Sequence, residues 1–521
     1  MEPNLRRALN AGFDANGNIV CLPFNPDPSN PTSPPNVPQY NGTISTTCAP
    51  LNLFCSGAPS QAARDYVTTN ARTEAITSQR DFLATLTGPV FKLPGGDFAI
   101  SVGYENRREF SRFSPDEFYT EALGRSIPIL PVRGSYTTNE VFGEFRAPLI
   151  GPDQNIPLIY QLEINAAGRY VDNSVAGGDF TWTAGGRWAP VDGFAVRGNY
   201  TRAIRAPAVT ELFAADQPAF DGGFDPCDSQ NLTSGPNPAV RQANCAAAGL
   251  PTDFSSLINS VTVPITVLGN RGLQNEKANS WTVGGVLTPR FLPGFALSAD
   301  YVNINLKNTI VSSSATDVLS GCYDATDYPE NFYCSLITRD TTPGESFGQV
   351  LTLDEPFINQ GGRRFEAVIV EASYRRTFGE IGVNATVNYQ HLIKQENQIN
   401  SATPWVSDRG EIGQSIDRFN VNLTLDRGPI SWFNQVQYTG PAVFNATDTP
   451  TTREFRGIGS YAIWNTAIII RASDNFDFRF NIDNVTDRGV PFPATAGAGT
   501  LNTYYQGLVG RAFLMGANVH F

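Results

Sequence analysis

Apolar and polar side chains alternate one for one over long stretches of this chain. Phe476, Phe478, Phe480 and Ile482 alternate with Asp477, Arg479, Asn481 and Asp483. Successive residues of a strand point to opposite faces, so this run predicts one apolar and one charged face. The same period appears in Phe419, Val421, Leu423 and Leu425 against Asn420, Asn422, Thr424 and Asp426, and in Leu158, Tyr160, Leu162 and Ile164 against Ile159, Gln161, Glu163 and Asn165. Phe180, Trp182, Ala184 and Trp188 repeat it against Thr181, Thr183 and Arg187, as do Ile381, Val383, Ala385, Val387 and Tyr389 against Asn384, Thr386, Asn388 and Gln390. Strands of globular sheets average about five or six residues. Runs of about ten or more predict a taller sheet, of the height that spans an outer membrane.

The connections carry a second signal. Tight turns are expected at 87–96, 148–157, 189–193, 290–294, 377–380, 427–429 and 472–475, and longer polar segments at 111–134, 172–179, 203–275, 312–349, 395–415, 441–459 and 488–505. Every second connection is therefore short, as in outer-membrane barrels with short periplasmic turns and long external loops. The reading is all-β: a transmembrane antiparallel β-barrel of about fifteen strands, from 72–86 to 506–521, with 350–376 forming either one strand or two. Complete bacterial barrels have even strand numbers. Here residues 1–71, a Pro/Asn-rich loop-like segment, lead into the first strand on the long-loop side. The expectation is that 72–521 forms the C-terminal portion of a larger, here incomplete, barrel.

Composition narrows the class. Lys+Arg 37 against Asp+Glu 49 gives a net charge of -12, an acidic balance that excludes a nucleic-acid binder, which needs clustered basic charge. The longest aliphatic stretches, such as Ala467 to Ile470, fall far short of the roughly 18 apolar residues of a membrane-spanning helix. The opening stretch MEPNLRRALNAGFDANGNIV has no apolar core of a signal peptide. Six of the 7 cysteines form near-neighbour pairs in loop-type sequence, and the expectation is disulfides Cys48–Cys55, Cys227–Cys245 and Cys322–Cys334. Cys21 is left over and could equally pair with Cys48 or Cys55.

Four stretches resemble TonB-dependent outer-membrane receptors, in that family's order. Tyr200 to Phe213 (YTRAIRAPAVTELF) resembles its R-x-F-R-A-P-x-x-x-E-L stretch, with Ile204 in place of the aromatic. Gly269 to Glu276 (GNRGLQNE), running on to Trp281, resembles G-N-P-x-L-x-P-E with both prolines missing, and Asn484-Val-Thr-Asp487 resembles the ending of the penultimate strand. Gly510 to Phe521 is similar to the closing strand. The resemblance implies a barrel of about 22 strands filled by an N-terminal plug, importing a scarce ligand with energy delivered through a TonB box. No plug is recognisable in the sequence, so contact with the TonB complex is expected only through a plug upstream.

The residues also carry local expectations. Arg202 or Arg205 with Glu211 would pin the root of the longest loop by ion pairing. Phe513, Met515, Ala517, Val519 and Phe521 form an apolar row suited to lipid, and the resemblance makes it the signal read by the barrel-assembly machinery. Glu140, Glu144, Arg146, Arg187 and Arg197 are expected to form a hydrated network on the inner face. The loop groups Asp221, Asp225, Asp228 and Asp324, Asp327, Glu330 are calcium candidates, without the ligand spacing of a known loop. A Ser/His/Asp hydrolase would need His391 or His520 as base, and both lie in strand-type sequence; acidic residues are spread rather than paired. No catalytic residue, cofactor or metal is expected, and the chain is read as not an enzyme. The leading function is TonB-dependent uptake of an unidentified small ligand across the outer membrane. The alternatives are a passive porin-like pore and a secreted β-rich adhesin or carbohydrate-binding protein. The adhesin would bury its apolar rows between sheets.

Overall fold

The computed structural model describes residues 2–21, 48–53, 59–123, 127–235, 237–398, 405–446, 450, 454–491 and 509–519. Its main element is one antiparallel sheet of 16 strands, one of which is the short pair Val406–Ser407 off the main path. The strands on the path are β1 Thr73–Leu93, β2 Gly96–Pro115, β3 Val132–Ile150, β4 Gln161–Asn173, β5 Gly177–Val191, β6 Phe194–Arg205, β7 Glu276–Leu287 and β8 Phe295–Lys307. They continue with β9 Gly362–Phe378, β10 Ile381–Gln398, β11 Asp417–Arg427, β12 Ile430–Thr439, β13 Tyr461–Ser473, β14 Phe476–Asp483 and β15 Ala512–Val519. Each pairs with its neighbours in chain order, and β1 and β15 end the path among the described residues.

Register turns the period-2 pattern into two unlike faces. Ala84 lies opposite Tyr104, Tyr104 opposite Val141, Val141 opposite Tyr170 and Tyr170 opposite Phe180. In the other half Val383 lies opposite Leu425, then Trp432, Ile468, Phe480 and Met515 follow in line. Most of these side chains are large, apolar and exposed, Val141 at 55% and Met515 at 83%, while Val383 and Leu425 are half-buried. A single sheet that leaves such rows uncovered is built to face hydrocarbon; a two-sheet adhesin would have buried them. The opposite face carries the Arg, Glu, Asn, Gln and Thr of the same strands.

The tight turns fall on one side. At Asp192–Gly193 the chain reverses with Gly193 at φ 82, and a Cβ there would lie 2.6 Å from the Thr288 carbonyl oxygen. Only glycine fits both the left-handed backbone and that approach. The neighbouring turn is tied on by the Thr288 N–H, which donates to the Gly193 oxygen at 2.7 Å. Two strand ends differ from expectation. β1 runs through Gly88-Pro89 to Leu93 with a register shift at Pro89; an edge strand tolerates a proline that has no N–H to give. β4 starts at Gln161, because Leu158 takes φ 62 and Ile159 N–H donates to Ile156 oxygen, closing a turn where the alternation alone predicts strand. The 172–179 connection is also tighter than expected: Asn173 and Gly177 end β4 and begin β5.

On the other side the two longest connections, 206–275 and 308–361, fold together into a cap. Its sheet has strands Ile310–Ser312, Val350–Asn359, Val263–Leu268 and Gln217–Asp221 in that order, with Ile337–Arg339 also paired to Val350–Asn359. Residues 350–376 are thus two strands, the first in the cap and the second in the wall. Helices Pro238–Ala247 and Ala315–Tyr323 pack on this sheet around Ile258, Val263, Ile265, Val318, Leu319 and Leu353. Disulfides Cys227–Cys245 and Cys322–Cys334 each close one of the two connections on itself.

The described residues of the N-terminal segment include two helices and a hairpin. Helix Glu2–Leu9, hairpin Ala11–Phe13/Ile19–Cys21 and helix Gln61–Val67 are joined by the Asn4 side chain to the Tyr66 oxygen and by Leu51 N–H to the Ala8 oxygen. Cys48 is bonded to Cys21 rather than to Cys55, which lies outside the described residues. The hairpin buries Cys21 at its end, in reach of Cys48 at a Cα–Cα distance of 6.2 Å.

Candidate functional site

The root of the longest loop is built from the last residue of β6 and the first of β7, which are register partners. Arg205 donates from Nε and Nη2 to the two Glu276 carboxylate oxygens at 2.7 and 2.8 Å, a bidentate pair. Its Nη1 reaches Glu211 at 3.1 Å, and Glu211 in turn accepts from Ala208 N–H at 2.7 Å. Glu276 also accepts from Ile310 N–H at 2.7 Å, so one carboxylate fixes the bases of both loops that form the cap. Arg202 takes another course: it lies 3.9 Å from Asp179, which Lys277 meets at 3.1 Å. Glu276 is the partner that sequence reasoning missed, although it closes the quoted GNRGLQNE stretch.

Below the cap the polar face of β2–β8 carries a charge network. Arg169 bridges Glu105 at 2.9 Å and Glu140 at 2.5 Å across three strands, over the ring of Phe142. Arg107 lies 3.7 Å from Glu140 and 3.5 Å from Glu109. Arg146 pairs with Glu163 at 2.8 Å, Arg187 donates to Gln161, and Arg197 grips Asp300 with two bonds of 2.9 and 2.6 Å. Glu144 lines a hollow of about 480 Å³ beside Arg107, Glu140, Arg169, Thr183 and Thr201. The inward residues named from the sequence therefore lie on one face, most of them paired.

A larger cavity of about 700 Å³ opens between cap and wall, lined by Arg241, Lys307, Asp324, Tyr333, Arg364 and Trp405. The Arg364 guanidinium sits 3.8 Å from the centre of the Trp405 ring, a cation–π stack that holds both in place. Burial, with Asp317 nearby, pushes the Tyr333 hydroxyl up to about 12, so it remains a neutral donor to a guest. This cavity combines aromatic surface, two fixed guanidinium groups and neutral hydroxyl and amide groups, the mixture that orients a polar small ligand.

Three of the loop carboxylates considered for calcium are engaged by protein donors. Asp225 takes two bonds of 2.9 Å from Arg339 and one of 2.6 Å from Ser256, Asp228 accepts from Ser256 N–H at 2.8 Å, and Asp324 takes two bonds from Arg241 at 2.6 and 2.7 Å. Among the described residues no group of three or more His, Cys, Asp or Glu is placed to hold a metal ion. His391 meets Asp417 at 2.8 Å, and Tyr389 donates to the same oxygen at 2.7 Å; His520 and Phe521 lie outside the described residues. Phe513, Met515, Ala517 and Val519 lie along β15, the first two at 62% and 83% exposure.

A wide antiparallel sheet with an exposed apolar face, a charged face and all its long connections on one side is the wall of an outer-membrane β-barrel. The chain belongs to the TonB-dependent receptors: the family described as "TonB dependent receptor-like, beta-barrel" matches residues 23–485. No curated protein sequence matches the chain. Among solved structures it is similar to a mutant of the ferric enterobactin receptor PfeA of Pseudomonas aeruginosa in complex with enterobactin, with TM-score 0.55 and 14% identity over 86% of this chain and 55% of that one. It is similar also to the siderophore receptor PirA of Acinetobacter baumannii (TM-score 0.54, 13% identity, 86% and 55%) and the outer membrane transporter YddB of Escherichia coli (0.53, 9%, 86% and 55%). The chain thus spans about half the length of these structures.

Proposed function

We propose that this chain forms the ligand-capturing wall of an outer-membrane receptor that imports a small ligand with TonB-transmitted energy, and that the ligand is an iron-chelating siderophore. The observation that supports the reading most is the cap, which ties two external loops to the wall at Arg205–Glu276 and leaves the Trp405–Arg364 cavity beneath it. A passive pore has no need of a fixed aromatic and cationic pocket at its mouth. The names of two of the structural neighbours point to the ligand class. Coupling to TonB is assigned to a plug domain N-terminal of the barrel, and insertion to the barrel-assembly machinery acting on the β15 row. Catalysis has no part in this reading.

The test has two arms. A panel of ferric siderophores is titrated against the purified protein with tryptophan fluorescence as readout, comparing wild type with Arg364→Ala and Trp405→Phe. Uptake of the bound member is then followed in cells with intact and disrupted TonB systems. Saturable binding weakened at least tenfold by Arg364→Ala, and uptake that stops without TonB, are expected. Uptake that is linear in concentration and indifferent to TonB would assign the protein to the pores.

A further inference from the structure

The cap is assembled from two connections that no disulfide joins to each other, since Cys227–Cys245 lies within the first and Cys322–Cys334 within the second. They are joined by the paired strands Val263–Leu268 and Val350–Asn359 and the apolar core over them, and beside these run buried polar contacts. Two of the crossings are ion pairs, Arg339 with Asp225 and Arg241 with Asp324. Another crossing is of a different kind. Asp221, from the first connection, accepts from the Ala315 N–H at 3.3 Å, at the start of helix Ala315–Tyr323 in the second. Glu355, from the second connection, borders the same helix start, since Ser313 donates from its N–H and Oγ to the oxygen of the next residue, Pro356, at 3.2 and 3.0 Å, and the Asp221 carboxyl is near enough to act on it. Glu355 is only 4% exposed, and its Oε1 is buried with no fixed donor facing it.

Two carboxylates cannot share one buried site while both are ionised, but one proton between them converts repulsion into a hydrogen bond. We propose that a proton held between Glu355 and Asp221 latches the two loops of the cap together, and that its loss at alkaline pH loosens the cap.

The surroundings favour the proton. The charged groups facing Glu355 are Asp221 from strand Gln217–Asp221 and Asp317 from the helix, both acidic; Asp317 is itself held by Ser314 N–H at 3.0 Å and Ser314 Oγ at 2.7 Å. On its own strand Asp354 alternates to the other face. Of the guanidinium groups of the cap, Arg339 and Arg241 are each taken up by their own carboxylate and Arg271 lies over the Phe213 ring. Burial first, and then Asp221, push the Glu355 carboxyl up to about 8. The sign follows from linkage: the closed cap keeps the proton and an opened cap releases it. Closure is thus favoured most at acid pH, and the advantage is lost progressively as pH rises toward about 8.

The experiment is amide hydrogen exchange on the full chain in detergent micelles from pH 5.5 to 9, corrected for the intrinsic pH dependence of exchange. Opening at Val318, Leu319 and Leu353 is compared with opening at wall amides. Wild type is expected to show cap opening that grows by up to about tenfold per pH unit, the limit for one proton, and levels off above the pH where Glu355 ionises. Glu355→Gln keeps the shape and supplies its own donor, so its cap opening should be flat across the window. Asp221→Asn removes the facing charge and should move the window to lower pH. The infrared band of a protonated carboxylic acid, present at neutral pH in wild type and diminished in Glu355→Gln, reports the proton directly and does not depend on cap stability. Equal slopes in wild type and Glu355→Gln, or no difference in that band, would overturn the latch.

Discussion

The two halves of the polar face solve the same problem with different chemistry. In β2–β8 the face is held by alternating charge, with Arg169 between Glu105 and Glu140 and Arg197 on Asp300. In β10–β13 it is held by a relay of neutral groups. Asn422 Nδ2 donates to Thr386 Oγ1 at 3.1 Å, Gln435 Nε2 to Asn422 Oδ1 at 3.0 Å, and Asn465 Nδ2 to Gln435 Oε1 at 3.2 Å. The relay ends where Asn465 Oδ1 accepts from the N–H of Asn484, which takes φ 54 and starts the connection to β15. In both halves the other face carries exposed apolar side chains, such as Val141 and Tyr170 in one and Trp432 and Ile468 in the other. The lesson is that the lipid side fixes the fold while the inner side is free to vary: a charge network presents a strong field to the lumen, whereas an amide relay is nearly neutral and accepts water in place of a lost partner.

The comparison is broken most severely from outside. Val141 in the charged half and Phe480 on β14, next to the amide half, both face outward near the middle of their strands. Replacing either with Arg should destabilise the barrel by about 2 to 4 kcal/mol in bilayer refolding, while changing Arg479, on the other face, should be far milder. A large difference between the two Arg variants would mean that one half does not face lipid.

Inside, the charged half should respond next. Arg169→Ala leaves Glu105 and Glu140 with only the looser Arg107 contacts at 3.9 and 3.7 Å, and Glu140 is only 4% exposed at its side chain. Removing one partner of a buried pair costs about 3 to 5 kcal/mol. The Arg169 side chain is 34% exposed, so water offsets part of this and about 2 to 3 kcal/mol is expected. Arg169→Ala with Glu140→Gln should recover part of the loss, and a double-mutant cycle measures how much. Additive effects would show that the network is only a set of solvated charges.

How much of this was legible follows from where the signal lies. Period 2 placed the wall strands and separated the faces, because a strand buried in lipid on one side tolerates no slip of register. The arrest at Leu86 reflects the turn signal of Gly88-Pro89, which cannot reveal that β1 is an edge where proline fits. Pairing in the cap was not legible. Its strands of three to ten residues find partners far along the chain, as when Ile265 meets Leu353 in parallel, and no local pattern specifies such a meeting. The cysteines did mark which loops were folded. Their spacing could not choose among Cys21, Cys48 and Cys55, since that choice depends on a three-residue hairpin strand, Ile19–Cys21. Glu211 was visible as a partner for Arg202 or Arg205, without a choice between them; Glu276 became visible only when register set it opposite Arg205.

The loop root gives a third contrast. Arg205→Ala should leave wall stability little changed, because Arg205 lies at the strand end, yet free both bases of the cap at once. Limited proteolysis should then cut within 206–275 and 308–361 at rates raised severalfold, with both loops affected together. Faster cutting in only one loop would contradict the shared anchoring by Glu276.

The smallest effect is expected in the amide relay. Asn422→Ala removes one donor and one acceptor from the middle of the chain of hydrogen bonds, stranding Thr386 Oγ1 and Gln435 Nε2. A neutral hydrogen bond contributes about 0.5 to 1.5 kcal/mol net. Both stranded groups are only half-buried on a polar face, where water can take the missing partner's place, so about 1 kcal/mol or less is expected. Salt sharpens the distinction. Raising ionic strength to about 1 M shortens the screening length to about 3 Å, which should reduce the penalty of Arg169→Ala and leave that of Asn422→Ala where it was. The two variants refolded side by side at low and high salt decide it: equal salt sensitivity would mean that the halves differ in composition but not in how they are held.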